Sequence, residues 1–311
     1  MNTLILDALS ESFWEIVERN KWRKYFFYPE DKFDPKLIDI VVIRTKTKFG
    51  HEEFERYPNL KQVIRAGSGY DNIDLIEADK RNVHVCNTPE ANATAAAELT
   101  LSFILALLKE HQLAKQSILA SEWKEKLLPN WELCELKAVV VGVGRVGSRV
   151  AQMLISMGAE VRGVDPYLQR DRWKSIGLNS MTYREGLSWC NLLTFHCPLT
   201  VETKDYFDED TLSYLDKPIW LVNTARGGVV TESAIAKGLE DDKLLGAALD
   251  VYDEEPCRAK EYMNDKRVYM TPHTGAYTVA AKERLCKEVI RVWQAFNFEG
   301  KVVFRVRSFK E

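Results

Sequence analysis

The run Val139-Val140-Val141-Gly142-Val143-Gly144-Arg145-Val146-Gly147 constrains this chain more than any other, because an apolar β-branched stretch passes through three spaced glycines into a helical pattern. Each glycine answers a different steric demand: Gly142 permits a tight turn after a strand, Gly144 lets the backbone approach a pyrophosphate, and Gly147 lets the new helix pack closely on the sheet. The helix N-terminus then offers unpaired N–H groups and a positive dipole end to the phosphates. A GxGxxG also occurs in ordinary turns, so its surroundings decide. Residues 138–141 read as a buried strand, 148–157 as a helix and 161–165 as the next strand, which ends in Asp165 about twenty residues past the glycines. An acid there accepts hydrogen bonds from ribose hydroxyls and repels a 2′-phosphate, which favours NAD over NADP. The plainer reading of Asp165 is a solvated loop carboxylate.

The 311 residues suffice for two domains, each burying its own core. The formal net charge is −3 and the basic residues are dispersed, so nothing points to nucleic acid or an anionic membrane, and a small-molecule partner is expected. Six cysteines, at 86, 134, 190, 197, 257 and 286, form no CxxC pair and no metal-ligand spacing with the five histidines. No metal is expected, and free thiols fit a reduced cytoplasmic protein. Residues 1–7 read directly as a strand, without the basic start and cleavage site of a signal peptide, so export is not expected. The most apolar segment, 99–108, falls well short of the roughly 18 residues a spanning helix requires.

Short β-branched runs alternate with amphipathic helical patterns, which predicts parallel sheets with helices on both faces. Strands are expected near 4–6, 40–43, 62–65 and 83–86 in a first sheet. In a second they fall near 138–141, 161–164, 192–195, 219–222, 247–249 and 268–270, a count that suits a dinucleotide-binding domain. The expected fold is therefore α/β, with two Rossmann-like doubly wound domains. A substrate-binding domain takes 1–97 plus 280–311, completed by the helical pattern over 279–297, and an NAD-binding domain takes 98–279. Between the sheets, residues 91–120 form one long helical pattern that is apolar nearly all the way round. Such a helix has to be covered on every side, which predicts a homodimer related by two-fold symmetry. An interdomain core helix in a monomer is the other reading. Residues 121–131, rich in tryptophan and lysine, read as an arm joining this helix to the second sheet.

Three further segments each follow or end an expected strand: Asn223-Thr224-Ala225-Arg226-Gly227-Gly228, Asp250-Val251-Tyr252-Asp253-Glu254-Glu255-Pro256 and Thr271-Pro272-His273-Thr274-Gly275. Ligands of open parallel sheets bind beyond the carboxyl ends of strands, so these segments are expected to converge. Together with Arg65-Ala66-Gly67-Ser68-Gly69-Tyr70-Asp71-Asn72-Ile73-Asp74, Cys86-Asn87-Thr88-Pro89, Ala96-Ala97-Glu98-Leu99-Thr100 and His196-Cys197-Pro198-Leu199-Thr200, they make the chain resemble, nearly end to end, the D-isomer-specific 2-hydroxyacid dehydrogenase family.

The resemblance implies oxidation of a 2-hydroxy acid, or the reverse reduction of a 2-oxo acid, with NAD. Removing the hydroxyl proton while hydride leaves C2 requires a base within hydrogen-bond reach, and His273 is implied in that role. Glu255 is implied to hold the other ring nitrogen, and Arg226 to grip the substrate carboxylate through its planar fork and polarise the C2 oxygen. Backbone groups of Ser68 and Gly69 are implied to bind the same carboxylate. The cofactor is implied to meet Gly142, Gly144, Arg145, Val146, Gly147, Asp165, Pro198 and Ala225, with Asp250 receiving the nicotinamide carboxamide. Taken singly, each catalytic candidate has an ordinary reading: a satisfied surface histidine, one of three neighbouring acids, and an arginine paired with one of them.

Within the family, Ile43-Arg44-Thr45, the Arg65 loop and Ala97-Glu98-Leu99-Thr100 are most similar to the phosphoglycerate dehydrogenases. A phosphate at C3 demands cations beyond Arg226, and Arg44, Lys46 and Arg65 lie near expected strand ends, with Lys126 of the arm available across a subunit boundary. Plain solvated cations are the alternative. Glu125, Leu127 and Tyr277 depart from the resembled pattern. A glyoxylate or hydroxypyruvate reductase needs no Arg44, and an NAD-sensing scaffold like the C-terminal-binding-protein corepressors shares the wording of the Arg65 loop. With the chain ending at Glu311, feedback through a C-terminal regulatory domain is not expected.

Overall fold

In the computed structural model, which describes residues 1–123, 130–258 and 260–306, the β-branched runs become thirteen strands in two sheets. The chain divides into two units, one of Met1–Asn92 with Tyr277–Glu311 and one of Ala93–Ala276.

The first unit contains β1 (Thr3–Ile5), β2 (Phe26–Phe27), β3 (Ile40–Ile43), β4 (Gln62–Arg65), β5 (His84–Asn87) and, from the far end of the chain, β13 (Arg305–Val306). Their order is β13-β5-β4-β3-β1-β2. The central strand Ile40-Val41-Val42-Ile43 is buried throughout, as a parallel strand covered on both faces must be. Its alternate residues supply two cores: Ile40 and Val42 join Phe13, Val289 and Trp293, whereas Val41 and Ile43 join Phe49, Phe54 and Tyr57. The helix Val279–Glu299 returns the chain to this unit, where buried Trp293 donates from Nε1 to Thr3 Oγ1 at 2.8 Å. Two edge strands were not expected. Strands β2 and β13 are two residues long, too short for a hydrophobic period, and β13 runs antiparallel to β5, so this sheet is not wholly parallel.

The second unit contains β6 (Lys137–Val141), β7 (Glu160–Val164), β8 (Asn179–Ser180), β9 (Leu192–Phe195), β10 (Ile219–Asn223), β11 (Leu244–Leu249) and β12 (Val268–Met270), in the order β12-β11-β10-β9-β6-β7-β8. This is the doubly wound order of dinucleotide-binding domains with one further strand, and the direction in which successive strands are added reverses at the β6–β9 boundary. All its pairings are parallel. The register aligns one row across the sheet: Met270, Leu249, Asn223, Phe195, Val141 and Val164. The described loops that carry the cofactor and catalytic candidates of this unit leave from the carboxyl side of that row.

The long helical pattern over 91–120 is two helices, Ala93–Leu108 and His111–Leu119. Glu110 breaks it in a left-handed conformation (φ +43°), its N–H bonding back to Leu107 O while its carbonyl accepts from Ala114 N. The first helix buries Ala97, Phe103, Ile104 and Leu107 against Val140, Val150, Leu154, Val222 and Ala248 of its own unit. Its remaining face, with Leu99, Leu101, Leu105 and Ala106, is half-buried.

Candidate active site

The glycine turn is shaped by missing side chains. Gly142 adopts φ +85°, and a Cβ there would stand 2.6 Å from Cys197 N and 2.7 Å from the His196 carbonyl carbon. A Cβ on Gly147 would lie 2.0 Å from Gly142 O, so only glycine lets the helix lie against the turn. Gly144 differs, since nothing lies within 4 Å of its would-be Cβ. The helix begins at Arg145, three residues earlier than the apolar periodicity places it, so its first-turn amides sit directly at this open position. A crowded turn, an open glycine and a helix N-terminus form a cradle that fits a dinucleotide pyrophosphate. Arg145 is exposed and Val146 half-buried in that first turn.

Asp165, just past β7, accepts from Val143 N at 2.9 Å and from Tyr167 N at 3.1 Å, so its carboxylate is fixed to the turn. On the other side of β6, Pro198 O accepts from Thr203 Oγ1 at 2.5 Å. His196 shares a 2.9 Å hydrogen bond between Nε2 and Thr194 Oγ1, and its buried Nδ1 has no partner among the described residues. Burial holds this imidazole down at about 3, so it is neutral at physiological pH.

Beyond β10, β11 and β12 the loops converge, and the candidate side chains of β11 and β12 meet. His273 Nδ1 lies 2.7 Å from Glu255 Oε2, joining residues 18 apart in the chain. Nε2 of the same ring has no hydrogen-bond partner among the described residues, which leaves a donor–acceptor atom available for exchange with a bound molecule. The backbone of His273 is left-handed (φ +52°), a conformation that costs a residue with a Cβ about 1–3 kcal/mol. Its surroundings hold it there: His273 N donates to Thr271 O at 3.0 Å, and the Asp250 carboxylate accepts from Thr271 Oγ1, Thr274 N and Gly275 N at 2.5, 2.7 and 2.8 Å. Asp250 is only 2 % exposed, so its visible task is to fix the histidine loop.

Arg226 sits three residues past β10 on a loop whose near end is fixed by Asn223, which accepts from Ala225 N at 3.0 Å and donates to Arg226 O at 2.9 Å. Arg226 Nη1 donates to Ala225 O at 2.6 Å, and Ala225 is buried. The loop lies directly on the β11 loop, where a Cβ on Gly227 would stand 1.8 Å from Tyr252 O. Sequence reasoning did not single out Asn223, Tyr252, Asp253, Thr271 or Thr274. Each lies within two residues of a candidate residue in the chain, but none carries a spacing that marks its contact.

In the first unit, Ser68 is exposed and Gly69 half-buried; Ser68 O accepts from Asn87 Nδ2 at 2.7 Å. Arg65 ends β4 and folds over Gly67, donating to Ala66 O at 3.1 Å and Thr45 Oγ1 at 3.2 Å. Arg44 is exposed and lines a cleft of about 180 Å³ with Ser10, Lys282 and Cys286. Lys126 lies outside the described residues. Among those described, no helix is long and apolar enough to cross a membrane, and no cluster of His, Cys, Asp and Glu could hold a metal.

Comparison with known proteins agrees with this geometry. Residues 101–275 match the model of the D-isomer specific 2-hydroxyacid dehydrogenase, NAD binding domain. The D-3-phosphoglycerate dehydrogenase of Bacillus subtilis (strain 168) is 36% identical over 285 residues, which are 91% of this chain and 53% of the relative. The chain spans about half the length of the curated relatives it matches. Among solved structures, a D-lactate dehydrogenase from Aquifex aeolicus complexed with NAD and lactic acid is 25% identical, with TM-score 0.85 over 97% of this chain and 99% of that one. A glyoxylate reductase from Paecilomyes thermophila shares the fold at 21% identity, with TM-score 0.87 over 98% of both chains.

Proposed function

We infer that this chain, which belongs to the D-isomer-specific 2-hydroxyacid dehydrogenase family, oxidises D-3-phosphoglycerate to 3-phosphohydroxypyruvate with NAD. The single observation that carries a hydroxy-acid reaction is the His273–Glu255 pair at 2.7 Å, held on the carboxyl edge of the same sheet that bears the glycine cradle. His273 Nε2 takes the C2 hydroxyl proton as the alcohol is oxidised and returns it in reduction. Glu255 keeps Nδ1 protonated and stabilises the imidazolium that forms, and Arg226 binds the substrate carboxylate and draws charge toward the C2 oxygen. Ser68 and Gly69 offer backbone groups to that carboxylate. Gly142, Gly144, Arg145, Val146 and Gly147 hold the pyrophosphate, Asp165 the adenosine ribose, Pro198 and Ala225 the walls of the site, and Asp250 the carboxamide edge. NAD, when bound, supplies the hydride acceptor.

The phosphate is assigned to Arg44 and Arg65, at neighbouring strand ends of the first unit, with Lys126 as a further cation. The reading is supported by relatives named D-3-phosphoglycerate dehydrogenase. We place the enzyme in the cytoplasm, as a homodimer formed through the half-buried face of the Ala93–Leu108 helix. A glyoxylate or hydroxypyruvate reductase is the second reading, favoured by the open position of Arg44: among the described residues, Lys282 is the only other cation lining its cleft.

Steady-state assays of D-3-phosphoglycerate, D-glycerate and D-lactate with both cofactors test the substrate. The phosphorylated acid should lead by at least about tenfold in kcat/KM, and Arg44→Met should remove that lead without affecting D-glycerate. Equal rates in the unaltered enzyme would remove the phosphate assignment and leave the reductase.

A further inference from the structure

We propose that Asp253 is a positioning residue that holds the Arg226 loop in register with the His273–Glu255 pair. The inference rests on the roles given above to those three residues and adds a fourth that touches neither substrate nor cofactor.

Three strands deliver the three side chains, and register alone aligns only the strand ends. Arg226 lies three residues beyond Asn223, Glu255 six beyond Leu249 and His273 three beyond Met270. Over those lengths a loop can move a side chain by several ångströms unless something ties the loops together. The Tyr252–Asp253 dipeptide touches all of them. Tyr252 N donates to Glu255 Oε1 at 3.3 Å, and Tyr252 Oη donates to Thr271 O at 3.0 Å, two residues before His273. The Tyr252 carbonyl lies against Gly227, which has to be glycine at that approach. The Asp253 carboxylate then accepts from Gly228 N at 2.6 Å, a short charge-assisted hydrogen bond to the residue two beyond Arg226.

The near end of the Arg226 loop is fixed by Asn223 of its own strand, and its far end meets a backbone donor on another side, Asp205 N to Gly228 O at 2.7 Å. Asp253 is the side chain that connects that far end to the loop bearing Glu255. Without it, the Arg226 loop keeps its anchor at Asn223 but loses its side-chain tie to the loop that bears Glu255. Errors of about 1 Å in such alignments cost up to roughly a hundredfold in rate. Asparagine in place of Asp253 retains an oxygen acceptor of the same reach, whereas alanine removes it.

The test compares Asp253→Ala and Asp253→Asn in the full chain. In Asp253→Ala, kcat/KM for the hydroxy acid should fall about 10- to 100-fold, while NADH affinity by fluorescence titration holds and Asp253→Asn stays within about threefold of the unaltered enzyme. Hydrogen exchange of a peptide covering residues 224–230 should quicken in the alanine variant only. In an Arg226→Gln background, Asp253→Ala should cost nothing further, because it acts through the guanidinium. The proposal is overturned by unchanged exchange at 224–230, by equal losses in the Asn and Ala variants, or by additive losses with Arg226→Gln. Full turnover in Arg226→Gln alone would instead remove the role given to Arg226, and the exchange measurement would still decide whether Asp253 tethers the loop.

Discussion

The two halves of the carboxyl edge of the second sheet are made of different things. At β6 the cradle is defined by atoms that are missing: Gly142 and Gly147 exist because a Cβ would overlap Cys197 N or Gly142 O, and Gly144 because the space beside it stays open. At β10 to β12 the proposed site is defined by side chains that must arrive, from residues 226, 255 and 273, on loops that belong to three strands. The first is written within nine consecutive residues and tolerates almost no change of shape. The second is spread over nearly fifty, and its accuracy depends on ties such as Asp250 to Thr274 N and Tyr252 to Thr271 O.

The largest effect that separates the halves is expected at His273. Glutamine there keeps a polar side chain but cannot carry a proton to and from an alcohol, so kcat should drop by about 10²–10⁴ while NADH affinity stays within about threefold. Loss of NADH binding in step with turnover would mean that the two halves are one coupled structure.

A second comparison breaks the cradle itself. Gly142→Ala forces a Cβ into backbone at φ +85° and should cost about 3 kcal/mol of stability in chemical denaturation. Gly144→Ala meets nothing within 4 Å and has a negative φ of −74°, with only its ψ of −149° beyond the broad β region, so it should cost far less stability than Gly142→Ala while NADH binding weakens by about tenfold or more. If both variants lose stability equally, Gly144 is structural and the open position is not a ligand's space.

This division explains what could be read from the residues. The glycine turn, the strand ending at Asp165 and the returning helix were legible, because steric need and hydrophobic period are local. The helix start was misjudged by three residues, since apolar periodicity reports the buried face and Arg145 and Val146 precede it. The break at Glu110 was hidden because the helical pattern continues through it; only the left-handed backbone reveals it. The pairing of His273 with Glu255 came from resemblance to a family, as nothing in the chain between them specifies a 2.7 Å contact. Asp253 escaped notice among three neighbouring acids, because what distinguishes it is a donor on another loop, Gly228 N.

The smallest effect expected is a pH dependence of stability to which the cradle contributes through His196, as the first unit does through His84, whose imidazole is also lowered by burial. The His196 ring, whose backbone supports Gly142, has an imidazole pushed by burial from 6.5 to about 3. In the unfolded chain it takes up a proton near its ordinary value, so between those limits the unfolded state binds more protons than the folded one. Its stabilising contribution is complete above pH 6.5 and is lost progressively as pH falls toward 3. The carboxylates with lowered values, such as Glu77, Asp208 and Asp265, add their own losses only further into acid. Thermal unfolding followed between pH 7 and pH 5 should therefore give a midpoint that falls with pH in the unaltered chain and falls less steeply in His196→Gln, whatever the variant's absolute stability. Parallel slopes would show that the ring gains its proton without unfolding, and that the support beneath Gly142 is open to water.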